Sequence, residues 1–170
     1  METFFPRKPY VNQASGGQTT SQMLIRMFQD VIDLRPAAVI LLGGTNDIAH
    51  DTGPQTARMV EENIEAITEQ AALHHVKVIL CSITPVSDYT SYQQTSQRPP
   101  ARILQLNAWI NNYASATHAI FCDYYSALVD GNGMLKKEYS HDGLHPNDRG
   151  YALLAPIGED AIEKALGEKP

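Results

Sequence analysis

Long apolar runs, cysteines and clustered positive charge are all scarce in this sequence, and each scarcity excludes something. No stretch approaches the 18 or so consecutive apolar residues that a membrane-spanning helix needs. Lys and Arg together number 13 against 19 Asp and Glu, a formal net charge of −6. The basic residues are scattered, so the footprint of a nucleic-acid-binding surface is missing. The two cysteines, Cys81 and Cys122, each lie in an apolar run. They are expected to be buried free thiols rather than a disulfide or a metal site, and they leave the compartment open. The opening METFFPRKPY has no long apolar segment and does not read as a signal peptide as written. Neither an internal repeat nor a low-complexity linker interrupts the chain, and nothing in the pattern fixes an oligomeric state.

What is present is an alternation of two patterns over 170 residues, the size of one domain with a sizeable core. Continuously apolar runs occupy Ala37–Gly44, Val76–Ile83 and Ala119–Tyr125, with a weaker one at Tyr10–Ser15. Unbroken runs of this length suit strands of a parallel sheet covered on both faces. Between them lie amphipathic segments. In Ser21–Leu34, residues Leu24, Met27, Phe28 and Val31 share a face, with Thr19 or Thr20 as N-cap. In Pro54–His75, Val60, Ile64, Ile67 and Ala71 recur at helical spacing, with Pro54 in the first turn. Pro100–Tyr113 carries Ile103, Leu106, Ile110 and Tyr113. Asp148–Leu166 carries Leu154, Ile157, Ala161 and Ala165, with Asn147 or Asp148 as cap. The order β-α-β-α-β-α-β-α predicts an α/β sandwich with right-handed crossovers. In such sheets ligands bind beyond the carboxyl ends of the strands.

Three of the four segments that follow the strands hold groups useful in acyl transfer. In SGGQTT (Ser15–Thr20), Gly17 before a helix start either presents a free backbone N–H to a ligand or simply shapes the turn. In GGTNDIAH (Gly43–His50), the Asn46 amide either donates to an oxyanion or closes an Asx-turn. Asp47 reads as a supporting or turn residue rather than a catalytic acid. In SHDGLHPN (Ser140–Asn147), Asp142 and His145 stand three apart on a Gly/Pro-marked turn. There the carboxylate either orients the imidazole as a base or the segment is a surface turn entering a helix. His141, His74 and His75 read as bystanders.

Taken together, SGGQTTSQML, LLGGTNDIA and DGLHPNDRGY resemble blocks II, III and V of the SGNH hydrolases, also called the GDSL lipase/acylhydrolase family. The similarity runs from about Tyr10 to Leu166, as one domain spanning residues 1–170. It implies a flavodoxin-like three-layer α/β/α sandwich with a parallel sheet in strand order 2-1-3-4-5. It implies hydrolysis of small-molecule carboxylic esters through an acyl-serine intermediate. By motif, Gly17 and Asn46 would form the oxyanion hole, supported by Gly44 and Asp47, while His145 would be the base and Asp142 its orienter. No metal or organic cofactor is expected.

Block I of that family, Gly-Asp-Ser, supplies its nucleophile, and the tripeptide does not occur in these 170 residues. Tyr10–Ser15 then corresponds to the family's second strand. The expectation is that strand 1 and its serine lie upstream of Met1 in a longer chain. Ser15, Ser21, Ser82 and Ser87 are weak substitutes, because nothing in their setting marks a nucleophile. Two other readings compete. One is a non-catalytic module that binds a ligand in the old cleft. The other is a phosphate or nucleotide binder using SGGQTT, which lacks the lysine and spacing of a P-loop. The loop Asp88–Pro100 carries Tyr89 and Tyr92, either as an aromatic wall for substrate or as ordinary surface tyrosines. With neither a lid nor a large apolar insertion, short acyl esters such as sugar acetates are favoured over long-chain triglycerides, and the resemblance leaves lysophospholipid-type substrates as the other option.

Overall fold

The computed structural model describes Phe5 and residues 7–167. Three parallel strands, β1 (Ala38–Leu41), β2 (Lys77–Cys81) and β3 (Ile120–Cys122), pair in the order β1-β2-β3. The register sets Leu41 opposite Leu80 and Cys81 opposite Cys122. Among the described residues seven α-helices accompany them: α1 (Thr20–Asp30), α2 (Thr45–Ile48), α3 (Ala57–Leu73), α4 (Gln94–Gln97), α5 (Pro100–Thr117), α6 (Tyr124–Leu128) and α7 (Asp148–Leu166).

Two cores explain why β2 is apolar without alternation. Val78 and Leu80 pack with Val60, Ile64 and Ile67 of α3 and with Ile103, Leu106 and Ile110 of α5. Ile79 and Cys81 face the other way, onto Leu128 of α6 and Leu154 and Ala161 of α7. Successive strand residues point to opposite faces, so a sheet with helices on both sides needs apolar residues at every position. The result is the expected α/β/α sandwich. Both cysteines are free and buried, as expected.

Helix ends follow their capping chemistry. At α1, Thr19 is the N-cap and Gln22 Oε1 accepts the Thr19 N–H at 3.0 Å, the reciprocal half of a capping box. At α7, Asn147 accepts from the N–H groups of Arg149 (3.0 Å) and Gly150 (3.1 Å), so the helix starts where the sequence indicates. Helix α3 begins at Ala57 rather than Pro54, because Thr56 caps it by accepting the Met59 N–H at 3.2 Å.

Two sequence expectations are corrected. Tyr10–Ser15 forms no strand. Residues 11–17 are exposed, and the Asn12 side chain takes the Ala14 N–H at 3.0 Å in a local turn. A strand needs a neighbour for its N–H and C=O groups, and a short polar side chain that offers a local alternative wins where no neighbour is present. Phe28, which helical spacing places on the buried face of α1, is 57% exposed and packs edge-on against His74. Among the described residues β1 pairs only with β2. Its outer edge is open, and Ile40 and Leu42 stand at 38% and 44% exposure, whereas β2 is covered throughout beyond Lys77.

Candidate active site

The carboxyl ends of the strands gather three loops. After β1 comes Gly43–Ile48, after β2 the run Ser82–Gln97, and before α7 the turn Ser140–Asn147. The tail of β2 is pinned first. Asn107 of α5, buried, accepts the Ile83 N–H at 2.7 Å and donates to its C=O at 2.9 Å. A side-chain amide that mimics a neighbouring strand in this way fixes where the next residues emerge. Four residues on, the Ser87 N–H donates to the Gly143 C=O at 2.8 Å, tying that tail to the turn that holds the histidine.

That turn is dense in hydrogen bonds. Asp142 Oδ1 accepts the N–H groups of Leu144 (2.9 Å) and His145 (2.8 Å), an Asx arrangement that bends the backbone back on its own carboxylate. Ser140 Oγ accepts the Gly143 N–H at 3.0 Å and donates to Asp142 Oδ1 at 3.2 Å. Asp142 Oδ2 is left for the ring and meets His145 Nδ1 at 2.6 Å. A carboxylate cannot donate, so Nδ1 carries the proton and Nε2 is free to accept one. The imidazole side chain is 73% exposed, which leaves Nε2 open to an incoming group. Burial pushes the Asp142 carboxyl up. The bond from the His145 ring and those from the two backbone N–H groups outweigh it and hold the carboxyl well below its usual range.

This depression has a definite sign. A carboxyl with a lower pKa folded than unfolded stabilises the fold above its unfolded value, and the gain is lost as pH falls toward the folded one. Asp142→Asn is therefore expected to be less stable than the native protein at pH 7, with the gap closing as pH drops below about 4. Urea midpoints of both proteins from pH 7 to pH 2.5 measure it (roughly the range over which an ordinary carboxyl protonates). A gap of constant size would show that the carboxylate's bonds do not differ between folded and unfolded chains.

Asn46 lies in α2, just past Gly44, whose φ of +116° turns the chain out of the strand. A Cβ at Gly44 would sit 2.8 Å from Ile83 Cδ1, so the turn is close-packed as well as left-handed. The Asn46 Nδ2 donates to the Gln18 C=O at 2.9 Å, placing its amide one residue from Gly17. Gly17 is exposed with φ +77°, and among the described residues no hydrogen bond uses its N–H. Residues that are 28 apart in sequence thus meet, and Asn46 is bonded to the residue that follows Gly17.

Asp47 holds that contact from beneath. It is 1% exposed and accepts from Thr20 three times, from N–H at 3.1 and 3.0 Å and from Oγ1 at 2.6 Å. Asn63 of α3 donates to the same Thr20 hydroxyl at 3.0 Å. Burial raises the Asp47 carboxyl, with the Thr20 bonds opposing. Its position over the first turn of α1 suits a negative charge. Asp47 therefore ties the loop after β1 to the first turn of α1. Asp47→Ala leaves Thr20 donors unpaired and is expected to cost about 2–4 kcal/mol in chemical unfolding. An unchanged midpoint would mean that blocks II and III are not joined through this carboxylate.

The structure also brings in residues that the motifs did not mark. Arg98, at the end of α4, is 5% exposed and donates to Gln94 Oε1 (3.1 Å), Gln97 Oε1 (3.2 Å) and Asn46 Oδ1 (3.5 Å). Among the described residues its one carboxylate neighbour is Asp51, at 3.7 Å. Burial lowers the guanidinium's pKa, with Asp51 opposing, and an arginine remains charged under such a shift. Gln94 in turn donates from Nε2 to the Asp142 C=O at 3.5 Å. Tyr89, offered by its sequence as substrate wall or surface residue, instead donates its hydroxyl to the Ser140 C=O at 3.1 Å, while Tyr92 is 69% exposed. The stretch Asp88–Pro100 thus braces the histidine turn.

Among the described residues none of the four serines noted above is hydrogen-bonded to the base. Ser82 Oγ donates to Asp123 and accepts the Tyr125 N–H, Ser21 Oγ pairs with Thr19 Oγ1, Ser87 is bonded through its backbone, and Ser15 is exposed. Among the described residues the only hydrogen bond recorded for the His145 ring is the one to Asp142. His141 is exposed and takes no part, and no cluster of His, Cys, Asp and Glu suited to a metal occurs among the described residues.

Comparison with known proteins points the same way as the geometry. Residues 2–153 match the model of the GDSL-like Lipase/Acylhydrolase family. The structure of a GDSL-like lipase from Bacteroides thetaiotaomicron VPI-5482 is 37% identical, with a TM-score of 0.89 over 96% of this chain and 80% of that one. A candidate acylhydrolase from Bacteroides fragilis NCTC 9343 is 36% identical, with a TM-score of 0.90 over 96% of this chain and 79% of that one. In Bacillus subtilis (strain 168), the protein named Uncharacterized lipoprotein YqeF is 28% identical over 132 residues. Those residues are 71% of this chain and 53% of that protein, so the chain spans about half the length of this curated relative.

Proposed function

The chain belongs to the GDSL-like lipase/acylhydrolase family, and on that premise we propose that it is the body of a serine esterase acting on short acyl esters. The observation that carries this reading is the 2.6 Å pair of Asp142 and His145, with Nε2 open, on a turn tied to the loop of Asn46. In the proposed reaction a serine hydroxyl gives its proton to His145 Nε2 as its oxygen attacks the ester carbonyl. The Gly17 N–H and the second hydrogen of Asn46 Nδ2 take the oxyanion. Collapse expels the alcohol, which receives the proton from His145. Water, deprotonated by the same nitrogen, then releases the acid and the serine. Asp142 holds the imidazole in the tautomer this needs and stabilises the imidazolium that forms.

The nucleophile is not among the hydroxyls described above. Among the described residues the outer edge of β1 is unpaired, and it offers a place for a strand that carries one. For substrate class, the support is the shape of the surface. An apolar void of about 10 Å³ beside Leu41 and Gly43 has room for no more than one water. The open cleft of about 440 Å³ near the start of α1 is lined by Ser21, Thr52, Gln55, Glu62 and Asn63 together with the apolar Pro54 and Met59. Such a lining suits a hydroxylated leaving group, such as an acetylated sugar, better than a long acyl chain.

A p-nitrophenyl ester series from acetate to palmitate, run on a chain that carries the added strand, tests the reading, together with mass spectrometry for an acylated serine. The expected result is fastest turnover at acetate, with an acyl adduct on one serine. Absence of turnover and of adduct, with retained binding of acetylated sugars, would favour the second reading, a ligand-binding module. The free Nε2, with no hydroxyl partner among the described residues, is the observation that supports that alternative.

A further inference from the structure

We propose that Arg98 is a positioning residue for the oxyanion-binding amide: its guanidinium clamps Asn46 from behind, setting the orientation in which Nδ2 faces the reacting carbonyl. The proposal rests on the esterase reading for its catalytic meaning, but its geometry stands on contacts within the chain. Asn46 has two fixed neighbours. Arg98 Nη2, at 3.5 Å from Oδ1, can only donate, and the Gln18 C=O, at 2.9 Å from Nδ2, can only accept. The amide can therefore satisfy both in one orientation and neither when flipped.

The clamp also acts through charge. Arg98 is 5% exposed, its Nε is buried with no hydrogen-bond partner, and its ion-pair neighbour Asp51 stands at 3.7 Å with a 40% exposed side chain. A buried, weakly paired cation is costly unless it serves something. Here its field falls on the carbonyl end of Asn46. It polarises the amide so that the Nδ2 hydrogens become better donors, in a setting where electrostatics are stronger than in water. An oxyanion gains from that only when negative charge develops on it, which is the transition state.

The arginine is itself held. Its N–H donates to the Gln94 C=O at 2.8 Å, and Pro99-Pro100 follow at once, ending α4 and opening α5. Nη1 bonds Gln94 Oε1, whose Nε2 reaches the Asp142 C=O. One side chain thus links the loop of the base to the loop of the oxyanion site, and separation between them is set by the Gln94–Arg98 pair. A carbon chain of the same length would fill the space without holding either.

The test uses Arg98→Lys, which keeps the charge and loses the fork, and Arg98→Met, which keeps the volume. The first readout needs no activity. In ¹H–¹⁵N spectra of the whole chain the Asn46 side-chain NH₂ pair is expected to shift and to exchange about tenfold faster in both variants, while the Thr20 and Ile83 backbone signals stay in place. An unchanged Asn46 pair in Arg98→Met, or in Arg98→Lys should the methionine variant not fold, overturns the proposal. The second readout is kinetic. With p-nitrophenyl acetate, kcat is expected to fall about 10–100-fold with KM within about twofold, and Arg98→Lys/Asn46→Ala is expected to be no slower than Asn46→Ala alone. Losses that multiply, or that appear in KM only, overturn the catalytic part. Should a chain that carries the nucleophilic serine turn over no ester, the hydrolase reading fails, and the spectra alone decide the clamp.

Discussion

Replacing His145 by alanine is expected to lower kcat for p-nitrophenyl acetate about 10⁴-fold or more, while leaving the fold intact. Loss of the histidine from a triad removes the base that takes the serine proton and the acid that protonates the leaving alcohol, and members of such a unit cost nearly as much singly as together. The structure adds the second half of the prediction. The imidazole is 73% exposed and contributes little buried surface, and its backbone N–H keeps its bond to Asp142 Oδ1 whatever the side chain. The melting temperature should therefore move by only about 2 °C, the size of a surface change in a domain this large. Activity and stability separate cleanly at this position. Turnover retained within about tenfold of the native protein would show that His145 is not the base, since a base contributes at least about 10².

Gly143→Ala should do the opposite and fail through the backbone. Gly143 has φ +80°, and a Cβ there would lie 2.2 Å from the carbonyl oxygen of Ser87 and 3.1 Å from its carbon. Both atoms are main chain, so no rotamer change relieves the contact. The same pair of residues is joined by the Ser87 N–H to Gly143 C=O bond at 2.8 Å, which has to open if the chains part. Left-handed strain of about 1–2 kcal/mol, plus a lost bond and displaced packing, gives about 3 kcal/mol or more. For 170 residues that is a fall of roughly 6–12 °C in Tm. Ester turnover should fall as well, because the displaced turn carries Asp142 and His145. Gly17→Ala is the matched control. Its φ is also positive, at +77°, but a Cβ there meets nothing within 4 Å, so only the strain remains. Equal losses at the two glycines would rule out the close approach of the Ser87 and Gly143 backbones.

Much of the fold was legible because it rests on short-range pattern. The face of α3, with Val60, Ile64, Ile67 and Ala71, is buried as its spacing predicts, and α7 spans Asp148–Leu166 because Asn147 caps it locally. Strand β2 read as a doubly covered strand and is one. The miss at Tyr10–Ser15 has a different origin. Strand propensity there was weak, and a ladder depends on a neighbour that local sequence does not report. Phe28 misled because helical period assigns a face without saying how far the partner element extends.

The site divides along the same line. By itself, the sequence determined which chemical groups the molecule carries and the turns on which they sit. The three-residue spacing of Asp142 and His145, the glycines, and the Asx and capping residues act over distances of a few bonds. Only the tertiary structure decided how those turns meet. It put Asn46 on Gln18, Thr20 on Asp47 and Ser87 on Gly143, and it buried Arg98 between the two halves of the site. A charged residue in a polar loop looks solvated in any local reading. Burial of its guanidinium depends on the loop of Asn46, 52 residues away, closing over it, and contacts at that separation exist only once the sheet has set its strands side by side.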